Sequence, residues 1–283
     1  MDNRFARFVP IIVAVLLMTC SCVTVREAAG DDAGVRKEPG SSIRDTVRSE
    51  ENDAANGAVD NASNGARSGA LSGGAKTDGN GSPWNIQALD TARNAVYLDQ
   101  VERDVVLELN KVRTNPAAYA DSHLVTRRRY YRAKIYRRPG NIDLVTSEGV
   151  RAIDECIRVL KSVSSRNRLK PSRGLSRAAD DHVRDTGPRG ITGHVGTRGS
   201  TLSNRVSRYG DWGAYIGEAI SYGNDEAREI VIQLLVDDGV PSRGHRKILL
   251  QEEFSRVGVA VGAHKTYGAM CVIDFAGTYD ESK

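Results

Sequence analysis

Tyr215-Ile216-Gly217-Glu218-Ala219-Ile220-Ser221-Tyr222 is the stretch whose reading decides the fold. Its apolar and β-branched residues predict a strand, and alternation puts Ile216, Glu218 and Ile220 on one face. A carboxylate on an apolar face must be paired, because a buried, unpaired charge costs several kcal/mol. After this strand, Asp225 is placed to cap a helix running to about Asp238, with Ala227, Ile230, Val231 and Leu234 on one face. Val257–Ala263 and Gly268–Ala276 then read as a hairpin that turns around His264–Tyr267. Before the strand come Ser200–Tyr209 and Leu175–Asp185, both with helical spacing. Ser147, with Glu148 in the first turn, is placed to cap a helix that carries Val150, Ile153, Ile157 and Leu160. The first helix, Leu98–Arg113, stops near Thr114-Asn115-Pro116, where Pro116 opens a second, short one. Helices on both sides of a small, mainly antiparallel sheet give an α/β class and a three-layer α-β-α sandwich.

This domain occupies residues 84–283. The 283-residue chain begins otherwise. Arg4 and Arg7 precede an apolar run, Phe8–Met18, of signal-peptide length. Leu17-Met18-Thr19-Cys20 resembles a bacterial lipobox, so residues 1–19 read as a lipoprotein signal peptide and Cys20 as the lipidated residue. Cys22 fits less well, since Thr19 would then stand where Leu is wanted. Residues 20–83 are rich in Gly, Ala, Asn, Asp and Ser and poor in aromatics. That composition cannot offset the entropy of ordering, so a disordered tether is expected. The chain would stand lipid-anchored in a bacterial cell envelope, outside the cytoplasm, in a periplasmic or surface position. Cys156 and Cys271 remain; an envelope compartment permits a disulfide, and the sequence leaves their pairing open. The net charge of +4 is mild. With export, it points away from nucleic acid. Arg127-Arg128-Arg129-Tyr130-Tyr131-Arg132, with Lys134, Arg137 and Arg138, reads as a solvated loop or strand edge. The alternative is a surface for lipid headgroups or cell-wall polymer.

Four residues could carry chemistry. Glu218 lies on the inward face of its strand. Asp238 falls four residues after Leu234 and seven after Val231, on or beside the apolar helix face, whereas Asp237 points elsewhere. His194 sits in the loop Gly193-His194-Val195-Gly196, and His245 opens Gly244-His245-Arg246. His182 shares a face with Leu175, Ala178 and Ala179 and reads as a hydrogen-bonded core histidine. Two histidines and two acids can hold Zn²⁺ or another divalent cation, act as an acid/base pair, or form a buried ion-pair network. Spacing does not choose among these.

The ordered set Leu109-Asn110 with Arg113, Ala178-Ala179 with His182, Gly193-His194, Arg205 with Tyr209-Gly210, Gly217-Glu218, Gly244-His245-Arg246 and Val257-Gly258-Val259-Ala260 resembles the bacterial branch of the CAP superfamily. These are the cysteine-rich secretory, antigen 5 and pathogenesis-related 1 proteins, also called SCP-like extracellular proteins. The resemblance spans Leu98–Gly277. It implies an α-β-α sandwich and a tetrad of two His and two Glu around a cleft that holds a divalent cation in some members. His194, His245 and Glu218 match three tetrad positions, and Asp238 is the choice for the fourth. Some positions depart from the family. Gly-Glu-Asn is here Gly217-Glu218-Ala219, a common Trp is replaced near Leu235, and Leu124–Arg168 is longer than the core needs. Ser242, offered as a nucleophile in relatives, lies in a loop without a nucleophile elbow.

The resulting expectation is a non-enzymatic binding module. Its cleft would take a cation, a small apolar ligand or a peptide, as relatives that bind sterols or fatty acids suggest. One alternative is a hydrolase of the peptidase type, using His194, Glu218, Asp238 and His245. The other is a structural protein that docks to cell-wall polymer.

Overall fold

A computed structural model describes residues 82–281, with the backbone of Ala14–Val15 and Val23–Arg26. The expected signal peptide, Cys20 and the expected tether lie outside the described residues apart from those two short strands. The elements used below are β1 (Val23–Arg26), α1 (Gln100–Thr114), α2 (Val150–Ser162), β2 (Lys170–Pro171), α3 (Arg173–Thr186), α4 (Leu202–Val206), β3 (Asp211–Tyr222), α5 (Ala227–Val236), α6 (Gly244–Leu249), β4 (Arg256–His264) and β5 (Gly268–Asp280).

The main sheet runs β1-β3-β5-β4-β2. Its pairs are antiparallel except β2 with β4. Alternation along the strands divides the core into two faces. On one face, Ile216, Ile220, Ala260, Val272 and Ala276 meet Leu175, Ala178 and Ala179 of α3 and Leu202 and Val206 of α4. On the other, Ala219, Val257, Val259, Cys271, Ile273 and Phe275 share a core with α1, α2, α5 and α6. This is the expected three-layer sandwich.

Local signals place the helices. Asp99 accepts from the Glu102 amide, and the Glu102 carboxylate takes the Asp99 amide in return, closing a capping box at the start of α1. Asn115 caps the short helix Pro116–Tyr119, whose first residue is the proline. Ser172 accepts from the Leu175 amide and opens α3. Arg113 is fully buried, and its guanidinium donates to the carbonyls of Asn167, Leu249, Gln251 and Phe254. One side chain of α1 thereby fixes the turns that lead into β2 and β4.

Three expected helix ends are corrected, the first being the start of α5, where Glu226 rather than Asp225 holds the N-cap position. Ser147 does not cap α2; Gly149 does, at φ 66°. The Ser147 and Glu148 amides instead donate to the Asp238 carboxylate. Helix α5 stops at Val236, because Asp237 adopts the left-handed conformation (φ 54°, ψ 43°). The face argument made for Asp238 therefore lapses, since that residue is not helical.

The basic run is only partly solvated. Val125–Tyr130 forms a 3₁₀ helix, and Tyr131–Arg132, Ile135–Tyr136 and Leu144–Val145 form a small antiparallel sheet beside it. Arg127 and Arg138 both reach Glu229 of α5, at 2.5 and 2.6 Å. Arg137 pairs with Asp143, and Arg128 with Asp154. Cys156 and Cys271 are buried free thiols rather than a disulfide.

Gly258 permits the close approach of α3 to the sheet. A Cβ there would stand 2.2 Å from the Leu175 carbonyl carbon and 2.3 Å from the Ser176 nitrogen. Backbone atoms cannot swing aside as a side chain can. We expect Gly258→Ala to lower unfolding free energy by about 2 kcal/mol or more in urea titration, and an unchanged midpoint would contradict this packing.

Candidate functional site

The site is two histidine–carboxylate pairs. Glu218 is fully buried on β3. Its Oε1 lies 2.6 Å from His194 Nδ1, and its Oε2 accepts from Arg205 Nη2 at 2.6 Å. Arg205 also donates to the carbonyls of His194 and Ser200 through Nη1. It projects from α4, which a capping box between Thr201 and Asn204 opens. The loop before His194 is gripped too. His182 Nε2 meets the Gly193 carbonyl at 2.8 Å, and the Gly193 amide donates to Tyr222 Oη at 3.0 Å. Gly193 has φ 99°, which a side chain would strain. His182 is thus a buried, hydrogen-bonded core histidine, as expected, and it also sets the position of His194.

The second pair is His245 with Asp237. Asp237 Oδ1 stands 2.7 Å from His245 Nδ1, and Oδ2 accepts the His245 amide at 3.0 Å. The left-handed turn that ends α5 aims Asp237 at the start of α6. Asp238, the residue expected there, is the wrong one of the two acids. Arg243 and Arg246 brace this corner from behind, through Glu148 and through Glu155 of α2.

Electrostatics distinguishes the acids. Burial pushes the Glu218 carboxyl up, but the His194 hydrogen bond and the Arg205 charge outweigh it and hold it at about 2. Asp274 sits opposite Glu218 on β5 and is also fully buried. Neither of its oxygens finds a hydrogen-bond partner among the described residues. Burial, and next the Glu218 charge, push its pKa well above the ordinary 3.8, so Asp274 carries a proton. His182 Nδ1 and Arg205 Nε are likewise buried without a described partner.

The expected cation set does not come together. Among the described residues, no three His, Cys, Asp or Glu are grouped as a metal site. Both oxygens of Glu218 and both of Asp237 are already engaged within the chain. A carboxylate bonded to Nδ1 puts that nitrogen's proton in the bond and the lone pair on Nε2, so these acids orient imidazoles. The residues present do not fit a four-ligand centre. Ser242 is exposed. Arg205, named before only as part of a motif, and Asp274 were not assigned to the site. The signal for Asp274 was an acid inside the apolar strand Cys271-Val272-Ile273-Asp274-Phe275.

Residues 136–275 match the family model described as CAP, the cysteine-rich secretory protein family. These residues form a CAP domain. Solved structures similar to this CAP protein include an outer surface protein of Borrelia burgdorferi, with 19% identity, a TM-score of 0.34, and coverage of 44% of this chain and 86% of that one. Another is an SCP-domain extracellular protein of Bacillus anthracis, with 21% identity, a TM-score of 0.31, and coverage of 45% of this chain and 37% of that one. No curated protein matches the chain.

Two measurements check this account of the CAP site. In urea titration, Asp237→Ala should cost about 3 kcal/mol, as breaking a buried pair does. Asp238→Ala should cost about 1 kcal/mol, as losing a surface cap does; the reverse order would restore the earlier assignment. Asp274→Asn tests the buried proton. Below pH 3.8 Asp274 is protonated folded and unfolded alike. Above it only the unfolded chain ionises, so stability falls by about 1.4 kcal/mol per pH unit until the raised folded pKa is reached. The Asn variant lacks that loss. Its stability advantage over the parent should be near zero at pH 3.5 and grow toward neutrality, and a pH-independent difference would argue against a protonated Asp274.

Proposed function

We infer that this CAP protein is an exported, non-enzymatic binding module, lipid-anchored at Cys20 in the bacterial cell envelope. The strand Val23–Arg26 joins the main sheet, and the domain presents its surface outside the cytoplasm. One observation supports the non-enzymatic part: each acid of the two histidine pairs spends both oxygens inside the chain. A carboxylate that itself acts as base or holds a metal must offer an oxygen to water, substrate or ion, so these two acids serve to position their imidazoles. Here the oxygens hold imidazoles, a guanidinium and an amide. Export is supported by the lipobox Leu17-Met18-Thr19-Cys20 and by the family of the domain.

The test uses the full chain expressed in bacteria. With a clickable palmitate analogue, label should enter the parent and Cys22→Ala but not Cys20→Ala; label retained by Cys20→Ala would refute the anchor. His194→Ala and His245→Ala should each lower the melting temperature by several degrees. The parent should show no turnover of casein or peptidoglycan fragments and no stoichiometric metal by elemental analysis. Turnover by the parent that vanishes in both variants, at unchanged melting temperature, would establish a hydrolase instead.

A further inference from the structure

The insertion around residues 124–168 builds a cavity that the histidine pairs do not share. It has a volume of about 110 Å³ and lies between the small sheet of the insertion, α2 and α5. Its wall is mostly apolar: Tyr131, Tyr136, Leu144, Ile153, Ile232 and Val236. Cavities of about 150 Å³ with such walls hold one benzene-sized ring. Ile153, Ile232 and Val236 are buried in the main core, so the floor is rigid, whereas Leu144 at the rim is half-exposed.

The polar groups of the wall decide what could enter. The charged ones are already matched. Glu229 takes Arg127 at 2.5 and 2.7 Å and Arg138 at 2.6 Å. Asp238 takes the amides of Ser147 and Glu148. Asn224 donates to Gln233, which itself donates to the Tyr222 carbonyl. An ionic ligand would have to leave water for a site that offers no counter-charge, which is costly. The two phenols differ from these groups. Tyr136 Oη accepts from Arg127 at 3.2 Å, but its own proton meets no acceptor among the described residues. Tyr131, whose ring touches that of Tyr136 at 4.9 Å between centroids, makes no side-chain hydrogen bond among them. Burial pushes both phenols up, so each keeps its proton to donate. Two O–H donors therefore stand together over an apolar floor.

We propose that this cavity is a binding site for a small neutral amphiphile, a single ring or short alkyl chain carrying one acceptor oxygen, which Tyr131 and Tyr136 hydrogen-bond. The apolar part fills the floor made by Ile153, Ile232 and Val236. The oxygen stays at the phenols, near the mouth. Charged analogues are rejected because the charges around the cavity, Arg127 and Arg138 against Glu229 and Asp238, already balance, so an ion gains no net counter-charge for the water it leaves. The proposal does not depend on the histidine pairs, and its test leaves them intact.

The experiment titrates the full chain with cyclohexanol, methylcyclohexane and cyclohexanecarboxylate, followed by NMR of the tyrosine and isoleucine side chains. Cyclohexanol should bind and shift the Tyr131, Tyr136 and Ile232 signals. Cyclohexanecarboxylate should bind at least tenfold more weakly. Leu144→Trp, which plugs the mouth, should abolish binding. Tyr131→Phe removes a hydroxyl that has no hydrogen-bond partner among the described residues and so leaves their contacts undisturbed. It should weaken cyclohexanol about fivefold, the worth of one hydrogen bond, and leave methylcyclohexane unchanged. The proposal is overturned if cyclohexanol fails to bind the parent, if the carboxylate binds as well, or if Tyr131→Phe weakens both neutral probes equally.

Discussion

A buried negative charge at Glu218 organises one half of this molecule. The strand β3 lies inside the sheet, between β1 and β5, and alternation leaves its carboxylate no route to water. It must be met from the layer above. Arg205 meets it from α4 and His194 from the preceding loop, each at 2.6 Å. Arg205 then uses its other amino group to hold the His194 and Ser200 carbonyls. The loop, the short helix and the sheet are thereby fastened to one another through a single side chain. Glu218 is bonded by Arg205 and His194, while its neighbour Asp274 meets no donor among the described residues. Two carboxylates side by side cannot both ionise in such a place, so Asp274 keeps its proton and Glu218 keeps the charge.

The other half is fastened in a similar way at the corner between α5 and α6. Asp237 bonds both the ring and the amide of His245. Arg243 and Arg246 carry the corner across to Glu148 and Glu155. Both acids of the histidine pairs are engaged within the chain, where they hold neighbouring elements together. The insertion makes a contrast. Its charged groups are paired as well, but its two phenols donate to nothing described, and the space before them is apolar. Binding chemistry is available at that place, and it is available to a neutral ligand.

Much of this was legible in the residues. Period-two alternation across Tyr215–Tyr222 and the C-terminal hairpin gave the sheet, and 3.6-residue spacing gave the helices. Their exact starts were not legible: the expected caps Ser147 and Asp225 give way to Gly149 and Glu226. Glu218 was identifiable as a buried acid because it breaks an apolar face. Asp274 breaks one in the same manner and was passed over, because a second acid on a neighbouring strand matters only once the register brings it opposite the first. Asp237 was misjudged for a different reason. Helical periodicity was extended one turn too far, and nothing in the local sequence announces a left-handed residue at Asp237.

The amino-acid sequence by itself determined the layers, the order of their elements, the resemblance to the family and three of the four positions from which site residues come, since patterns of burial are written in residue type and spacing. The tertiary structure alone decided which acid meets which imidazole, that their oxygens are spent on one another, and that the insertion closes over a cavity. Those outcomes turn on backbone angles and strand register, where one dihedral or one residue of slip moves a carboxylate from a histidine to a neighbouring loop.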